Sequence, residues 1–215
     1  MTLELKSLSI VGPGKKALFE PVSCCVEADQ IVTIMGPSGV GKSTLLDAIG
    51  GHLAHDFTMQ GRVILGGRDV SELPPEARRI GIMFQDAVLF PHLSLGDNLA
   101  FGLRQDISGG AARRDAVETA LEQAGLSGMY ERDPATLSGG QRARASLMQA
   151  LLAEPRALLL DEPFSRLDVE RRGEIREFTF KHVMAKGVPT IMVTHDPDDA
   201  SAAGGPVVQL GAPQS

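Results

Sequence analysis

GPSGVGKST, residues 36–44, decides the fold of this 215-residue chain. It fits the pattern G-x-x-x-x-G-K-[ST], whose glycines let backbone N–H groups turn inward around an anion. The β-branched run Ile31–Met35 comes before it and predicts a buried strand. Apolar residues at helical spacing in Lys42–Leu53 predict a helix after it. Strand, glycine loop and helix in this order predict a phosphate-binding loop in an α/β fold.

Each residue of this loop becomes a candidate for nucleotide binding. The helix that begins near Lys42 directs its partial positive charge at the phosphates, Lys42 is expected to reach the β- and γ-phosphates, and the Ser43 hydroxyl is expected to bind Mg²⁺. The alternative is a tight strand-to-helix turn without a ligand, which the flanking strand and helix disfavour. The candidates are Gly36, Pro37, Ser38, Gly39, Val40, Gly41, Lys42, Ser43 and Thr44.

A second segment, Ala157–Glu162, supplies two carboxylates. Four apolar residues predict a buried strand, and Asp161 and Glu162 follow at its C-terminal end, where ligands of open α/β sheets bind. Asp161 is predicted to hold Mg²⁺, and Glu162 is the candidate base for an attacking water. Taken alone, the segment is also typical of an ordinary strand that enters a loop. The phosphate-binding loop favours the functional interpretation.

Further patterns predict the rest of an α/β architecture. Ile80–Phe84, Ala157–Leu160 and Thr190–Val193 read as buried strands separated by helical patterns, which predicts a parallel sheet covered by helices. Short strand candidates near the N-terminus predict a small, largely antiparallel sheet. These candidates are Leu3–Ile10, Pro21–Val26 and Arg62–Leu65.

The middle of the chain is predicted to be helical. Arg113–Ala124 and Ser138–Glu154 each place apolar residues on one face. Residues 86–155 are therefore predicted to form a helical subdomain inserted between two strands of the core, which comprises residues 1–85 and 156–215. The whole chain, 1–215, is predicted to be one domain.

Composition and charge argue against several classes of protein. The net charge of −6 argues against a duplex DNA-binding protein, and no nucleic acid is expected as a partner. No apolar run approaches the roughly 20 residues needed to cross a bilayer, and Met1–Ile10 lacks the basic start of a signal peptide. We therefore expect a soluble protein that reaches a membrane only through a partner. Cys24 and Cys25 are expected to be buried, reduced and without a disulfide.

The segment Leu137–Gln141 (LSGGQ) predicts a second anion site. Ser138 is a good N-cap, and the two glycines expose backbone N–H groups at the start of a long helix. One ATP does not need two such sites from one chain. A head-to-tail dimer, in which this segment caps the γ-phosphate bound by the other subunit, explains both. The candidates are Ser138, Gly139, Gly140 and Gln141; the alternative is a capped helix with a glycine-rich start.

Over nearly its whole length the chain resembles the ABC-type ATPases. Residues 36–44 match the Walker A motif of that family, Ala157–Glu162 its Walker B motif, and Leu137–Gln141 its signature letter for letter. The resemblance implies a P-loop NTPase with a RecA-like parallel core, a small antiparallel β-subdomain and an inserted α-helical subdomain. It also implies ATP and Mg²⁺ as ligands and an ATP-dependent homodimer.

The resemblance assigns three further residues. Gln85, in Met-Phe-Gln-Asp, matches the glutamine that contacts Mg²⁺ and the attacking water and links the site to the transporter. Asp168, in Ser-Arg-Leu-Asp, matches the aspartate that crosses the dimer interface. His195, in Val-Thr-His-Asp, matches the switch histidine at the γ-phosphate. Glu162, His195 and Gln85 are thus the candidate catalytic residues, and Ser43, Gln85 and Asp161 the candidate metal ligands.

One segment is similar to that of bacterial type I importers. The part of those importers that binds the membrane subunit resembles Gln85–His92 followed by Asp97-Asn98-Leu99 in this chain. Leu89 and Phe90 would suit a groove for a partner helix. The alternative is that both residues fill the core of the helical subdomain. The implied partners are integral membrane permease subunits and a periplasmic or surface substrate-binding protein. The implied location is the cytoplasmic face of the cell membrane.

The sequence departs from the family in two places. The usual adenine-stacking aromatic residue is missing near Ile10–Gly12, so adenine would be held by aliphatic contact, by Phe19 or loosely, and weak discrimination against GTP is predicted. Arg166 replaces the small residue usual before Leu167-Asp168. No C-terminal regulatory domain is expected before the end at Ser215. An exporter ATPase, a soluble nucleotide-gated clamp and a non-hydrolysing assembly subunit remain alternatives.

Overall fold

The computed structural model describes residues 1–104, 106–211 and 213, and the predicted domain limit at Ser215 lies outside them. Its regular elements follow the order expected for an α/β chain. They are β1 Leu3–Val11, β2 Val22–Val26, β3 Ile31–Met35, α1 Lys42–Gly50, β4 Thr58–Leu65, β5 Arg68–Asp69, α2 Pro75–Arg78, β6 Ile80–Met83, α3 Leu95–Phe101, α4 Gly110–Gln123, α5 Gly139–Leu152, β7 Ala157–Asp161, α6 Val169–Lys186, β8 Thr190–Thr194, α7 Pro197–Ala203 and β9 Val207–Gln209.

Two sheets form the part of the fold that carries the phosphate-binding loop. The first is antiparallel, in the order β2-β1-β4-β5. The second has the order β6-β7-β8-β3-β9, and β3 pairs in parallel with β8 and β9, as β7 does with β8. The strands β3, β7 and β8 are buried almost throughout, which is typical of strands covered on both faces. An aliphatic core joins both sheets and α1.

The chain divides into two compact units. The first contains Met1–Ile82, Arg156–Glu162 and Val183–Ser215, and the second contains Met83–Pro155 and Pro163–His182. In the second unit α3, α4 and α5 pack against one another. Helix α5 begins with a full capping box, because the Ser138 hydroxyl accepts from Gln141 N while the Gln141 side chain accepts from Ser138 N.

Several element limits differ from those expected from sequence. Helix α1 ends at Gly50 rather than Leu53, because Gly51 adopts a left-handed conformation with φ 88° and caps the helix. The predicted strand at Arg62–Leu65 begins at Thr58, since β4 pairs with β1 as far as Val11. The sequence patterns did not delimit α2, α3, α6 or α7.

The expected burial of both cysteines is wrong for one of them. Cys24 is half-buried and Cys25 is exposed, because successive residues of the strand β2 point to opposite faces. Neither cysteine forms a disulfide, as predicted.

Candidate active site

The phosphate-binding loop holds its buried lysine against two of its own backbone oxygens. Lys42 is 6% exposed, and its Nζ donates to Gly36 O at 2.9 Å and to Pro37 O at 3.2 Å. Gly39 and Gly41 have φ angles of 80° and 103°, a region that side chains other than glycine rarely adopt. The loop therefore turns its backbone around a space that an ammonium already borders, as a phosphate site requires.

Two oxygen groups from different elements meet beside this loop. The hydroxyl of Ser43 donates to Asp161 Oδ1 at 3.1 Å, which brings the start of α1 to the end of β7. Burial raises the pKa of the Asp161 carboxyl, and the nearby Glu162 raises it further, while the Ser43 hydrogen bond lowers it. A hydroxyl and a carboxylate side by side fit Mg²⁺, which takes few protein ligands and completes its shell with phosphate oxygens and water.

Glu162 has an unusual backbone conformation at the end of β7. Its φ is 41°, in the left-handed region, and its N–H donates to Val193 O at 3.0 Å, which ties it to β8. Its Oε2 lies 3.0 Å from Nδ1 of His195, and its Oε1 lies 3.8 Å from Nζ of Lys42. A mostly buried carboxylate between a lysine and a histidine can accept a proton from a water held beside it.

The expected alternative of Phe19 as the adenine contact is wrong. Phe19 is completely buried in the aliphatic core, so its ring has no free face for a base. The half-buried ring of Phe57 lies beside Gly12, where the adenine-stacking aromatic residue of the family is missing. A Cβ placed on Gly12 would be 3.4 Å from Cε1 of Phe57. The sequence did not indicate Phe57, because only the pairing of Val11 with Thr58 brings it next to Gly12.

The second predicted anion site lies in the second unit. Gly139 and Gly140 form the first turn of α5, after the Ser138 cap. A Cβ on Gly139 would meet only Leu167 at 3.6 Å, which is ordinary contact, whereas one on Gly140 would be 3.2 Å from Ile175 Cδ1. The surroundings of Gly139 thus leave its backbone approachable, while Gly140 is restricted by internal packing.

Gln85 and Asp168 also belong to the second unit. Gln85 Nε2 donates to Ser165 Oγ at 3.2 Å, and the neighbouring residues Asp86 and Arg166 form an ion pair at 2.5 Å. Asp168 is exposed, and its carbonyl accepts from the backbone N–H groups of Arg171 and Arg172 in the first turn of α6. The five candidates Lys42, Ser43, Asp161, Glu162 and His195 are brought together in the first unit.

The segment compared with importers has no regular secondary structure over residues 87–90. Leu89 and Phe90 are half-buried, so part of each side chain is covered and part is exposed. Phe84, Val88 and Phe101 are 42%, 54% and 70% exposed, and the sequence had not singled them out. The Phe101 ring packs on Phe90 with centroids 4.8 Å apart.

The completely buried Asn98 holds the turn that follows this segment. Its Oδ1 accepts from Phe90 N at 2.6 Å. Its Nδ2 lies within hydrogen-bond distance of three carbonyl oxygens, those of Phe90, Leu93 and Ser94. One carboxamide therefore contacts both ends of the turn. Within the described part of the chain, no helix combines the length and hydropathy needed to span a bilayer.

Comparison with known proteins identifies the family. A family profile described as ABC transporter matches residues 19–165, more than half of the chain. The uncharacterized ABC transporter ATP-binding protein YnjD of Escherichia coli (strain K12) is 49% identical over 198 residues, with 92% of this chain and 90% of that protein covered. The chain belongs to the ABC transporter family and is an ATPase of that class.

Two relatives carry names of import proteins. The thiamine import ATP-binding protein ThiQ of Cereibacter sphaeroides is 43% identical over 191 residues, covering 89% of this chain and 80% of that protein. The Fe(3+) ions import ATP-binding protein FbpC of Agrobacterium fabrum is 40% identical over 209 residues, covering 94% of this chain and 58% of that protein. The chain thus spans little more than half the length of this FbpC protein.

A solved structure of the same class shares the fold. It is the dimeric ATP-binding cassette MJ0796 in a post-hydrolysis state, bound to ADP and Pi. The TM-score is 0.81 at 29% identity, and the match covers 97% of this chain and 94% of that one. The predicted P-loop NTPase fold, with its parallel core and antiparallel sheet, is confirmed.

Proposed function

We propose that this ATPase is the energy-supplying subunit of a bacterial ABC importer. The contact between Glu162, His195 and Lys42 beside the Ser43–Asp161 pair carries the hydrolytic part of the proposal. Import is supported by the names of ThiQ and FbpC. The core would comprise residues 1–85 and 156–215, with 86–155 as the helical subdomain.

Nucleotide binding begins with the phosphate-binding loop. The γ-phosphate displaces the carbonyl contacts of Lys42, whose ammonium then neutralises phosphate charge. Backbone N–H groups of residues 36–44 and the N-terminus of α1 hold the remaining phosphate oxygens. Ser43 and Asp161 would hold Mg²⁺, with Gln85 as a further ligand, and the ion would neutralise the phosphate charge that develops during transfer.

Hydrolysis uses the carboxylate that the backbone fixes at the end of β7. Glu162 accepts a proton from water as that water attacks the γ-phosphate, while His195 and Gln85 position the water and the phosphate. The 3.0 Å contact between His195 Nδ1 and Glu162 Oε2 supports this division of roles, because it orients both side chains.

Dimer formation completes each site. Ser138, Gly139, Gly140 and Gln141 of one subunit cap the γ-phosphate held by the other, and Asp168 crosses the interface. Because ATP adds contacts that exist only in the closed dimer, its binding favours closure, and hydrolysis removes those contacts. The dimeric state of the structural neighbour supports this arrangement.

The membrane partners would be integral permease subunits, held through Gln85–His92 at the cytoplasmic face of the membrane. A periplasmic or surface protein would deliver the transported molecule. The exposed Phe84, Val88 and Phe101 support a contact there with an apolar partner helix.

The test is co-purification from the native membrane in detergent, using a tagged Glu162→Gln chain with MgATP. We expect a long-lived ATP-bound dimer that carries multi-span membrane subunits. The matched control is Glu162→Gln with Lys42→Ala, which should lose ATP and the dimer. Rapid turnover by the Glu162→Gln chain would contradict the role of Glu162, and recovery of ribosomes or nucleic acid would refute the transporter assignment. Membrane subunits without a substrate-binding protein would favour an exporter.

A further inference from the structure

Arg166, the departure from the family pattern, has a defined partner. Its Nη1 lies 2.5 Å from Oδ1 of Asp86. One residue earlier on each segment, Gln85 Nε2 donates to Ser165 Oγ at 3.2 Å. Two consecutive residues of one loop thus pair with two consecutive residues of another, and all four lie in the same compact unit.

The paired loops border a small cavity that also reaches the signature helix. The cavity has a volume of about 130 Å³, and its lining includes Gln85, Asp86, Gly139, Arg142 and Arg166. Arg142 Nη1 donates to Leu137 O at 2.6 Å, which fixes that side chain to the turn before α5. The first turn of α5 and both loops therefore face one partly open cavity, and displacing one loop changes the surroundings of the others.

The ion pair is too exposed to serve as a major support of the fold. Both side chains are 62% exposed, and such pairs change an equilibrium by about two- to fivefold. That range is sufficient to bias a loop between two positions. The adjacent hydrogen bond already holds the charges near each other, so the pair loses less freedom on forming than two isolated side chains would.

We infer that Arg166 is a positioning residue that couples two regions of the second unit. It ties the segment Gln85–Phe90 to the turn Phe164–Asp168, so that a displacement of the turn is transmitted to the segment. An uncharged short side chain at position 166 would remove the ion pair and keep the hydrogen bond between Gln85 and Ser165. This inference rests on the proposed function, which places the dimer interface at Asp168 and the membrane partner at Gln85–Phe90.

Hydrogen–deuterium exchange on the whole chain tests the coupling in the Glu162→Gln background. With Arg166 present, MgATP should slow exchange at the signature, at Phe164–Asp168 and at Gln85–Phe90. With Arg166→Ala, slowing should persist at the first two regions and fall by about two- to fivefold at Gln85–Phe90. Without nucleotide, Arg166→Ala should already speed exchange at Gln85–Phe90 about two- to fivefold.

A charge exchange separates coupling from simple loss of packing. Asp86→Arg alone should behave like Arg166→Ala, and Asp86→Arg combined with Arg166→Asp should restore slowing at Gln85–Phe90. MgATP-dependent slowing there in Arg166→Ala, equal to that with Arg166 present, would overturn the inference and leave the proposed function intact. Slowing at no region with Arg166 present would overturn the proposed dimer, and the coupling with it.

Discussion

Replacing Arg78 with Met removes a buried cation that holds the end of the phosphate-binding helix α1. Arg78 is 5% exposed, and its Nη1 donates at 2.8 Å to Ala48 O and to Ile49 O, two carbonyls of the last turn of α1. Its Nε donates to Leu73 O at 2.8 Å and its Nη2 to Ser71 O at 2.6 Å. Last-turn carbonyls have no partner within their own helix, so this guanidinium supplies one.

The cost of the change follows from these four acceptors. A hydrogen bond from a charged donor contributes about 1.5–3 kcal/mol, and an acceptor left buried without a partner costs a similar amount. Burial lowers the pKa of Arg78, which reflects a desolvation cost that the Met variant no longer bears. With this offset, and because contributions within one network do not add, we expect a loss of about 3–5 kcal/mol. That is a large share of a typical unfolding free energy of about 5–15 kcal/mol.

Urea unfolding followed by far-UV circular dichroism measures this loss. Arg62→Met is the matched control, because Arg62 lies in the same compact unit and is exposed. It should change the unfolding free energy by less than about 0.5 kcal/mol. Arg78→Lys should fall between the two, since an ammonium cannot span all four carbonyls. A loss below about 1 kcal/mol for Arg78→Met would refute the reasoning, because that is no more than one neutral hydrogen bond.

Three further predictions follow from single contacts. Gly96→Ala should lower the unfolding free energy by about 1–3 kcal/mol, because its Cβ would lie 2.3 Å from the Tyr130 ring. Gly110→Ala should raise the unfolding free energy by about 0.5 kcal/mol, because its Cβ would meet no atom of the described residues within 4 Å. Equal effects of the two variants in denaturant titrations would contradict this. Iodoacetamide should label Cys25 slowly and leave Cys24 unlabelled in the folded chain. Burial raises the pKa of Cys24 to about 11, and desolvation and the charge of Glu27 raise the pKa of Cys25. Two labels on the folded chain by mass spectrometry would refute this prediction. Competition binding should show that the chain prefers ATP over GTP by less than about tenfold, because the usual adenine-stacking aromatic residue is missing. A preference above about a hundredfold would refute the prediction of weak discrimination against GTP.

The sequence could predict the parts of the site that are local in the chain. Residues 31–44 form one continuous strand, loop and helix, and Asp161 and Glu162 follow directly on a buried strand. Their chemistry and their neighbours in sequence point to the same structure, so pattern and spacing were sufficient. The parallel sheet followed because its strands are continuous apolar runs.

Sequence patterns could not predict the contacts that depend on strand pairing or on tertiary packing. Phe57 reaches Gly12 only through the β1–β4 ladder, and Phe19 is buried only because the core closes over it. The partner of Arg166 lies 80 residues away along the chain, and no periodicity predicts it. The early end of α1 depends on the left-handed conformation of Gly51, which sequence spacing alone did not determine.

The carboxamide of Asn98 fixes the backbone path of the loop before α3 without hydrogen bonds to the side chains of that loop. All of its hydrogen bonds to Phe90, Leu93 and Ser94 are made to backbone atoms. Every residue type provides the three carbonyls, and every type except proline provides the N–H at position 90. Side chains at Pro91 and His92 take no part in them. This stretch of surface can thus change its chemistry, for instance to match a different neighbouring protein, while its path in space stays the same.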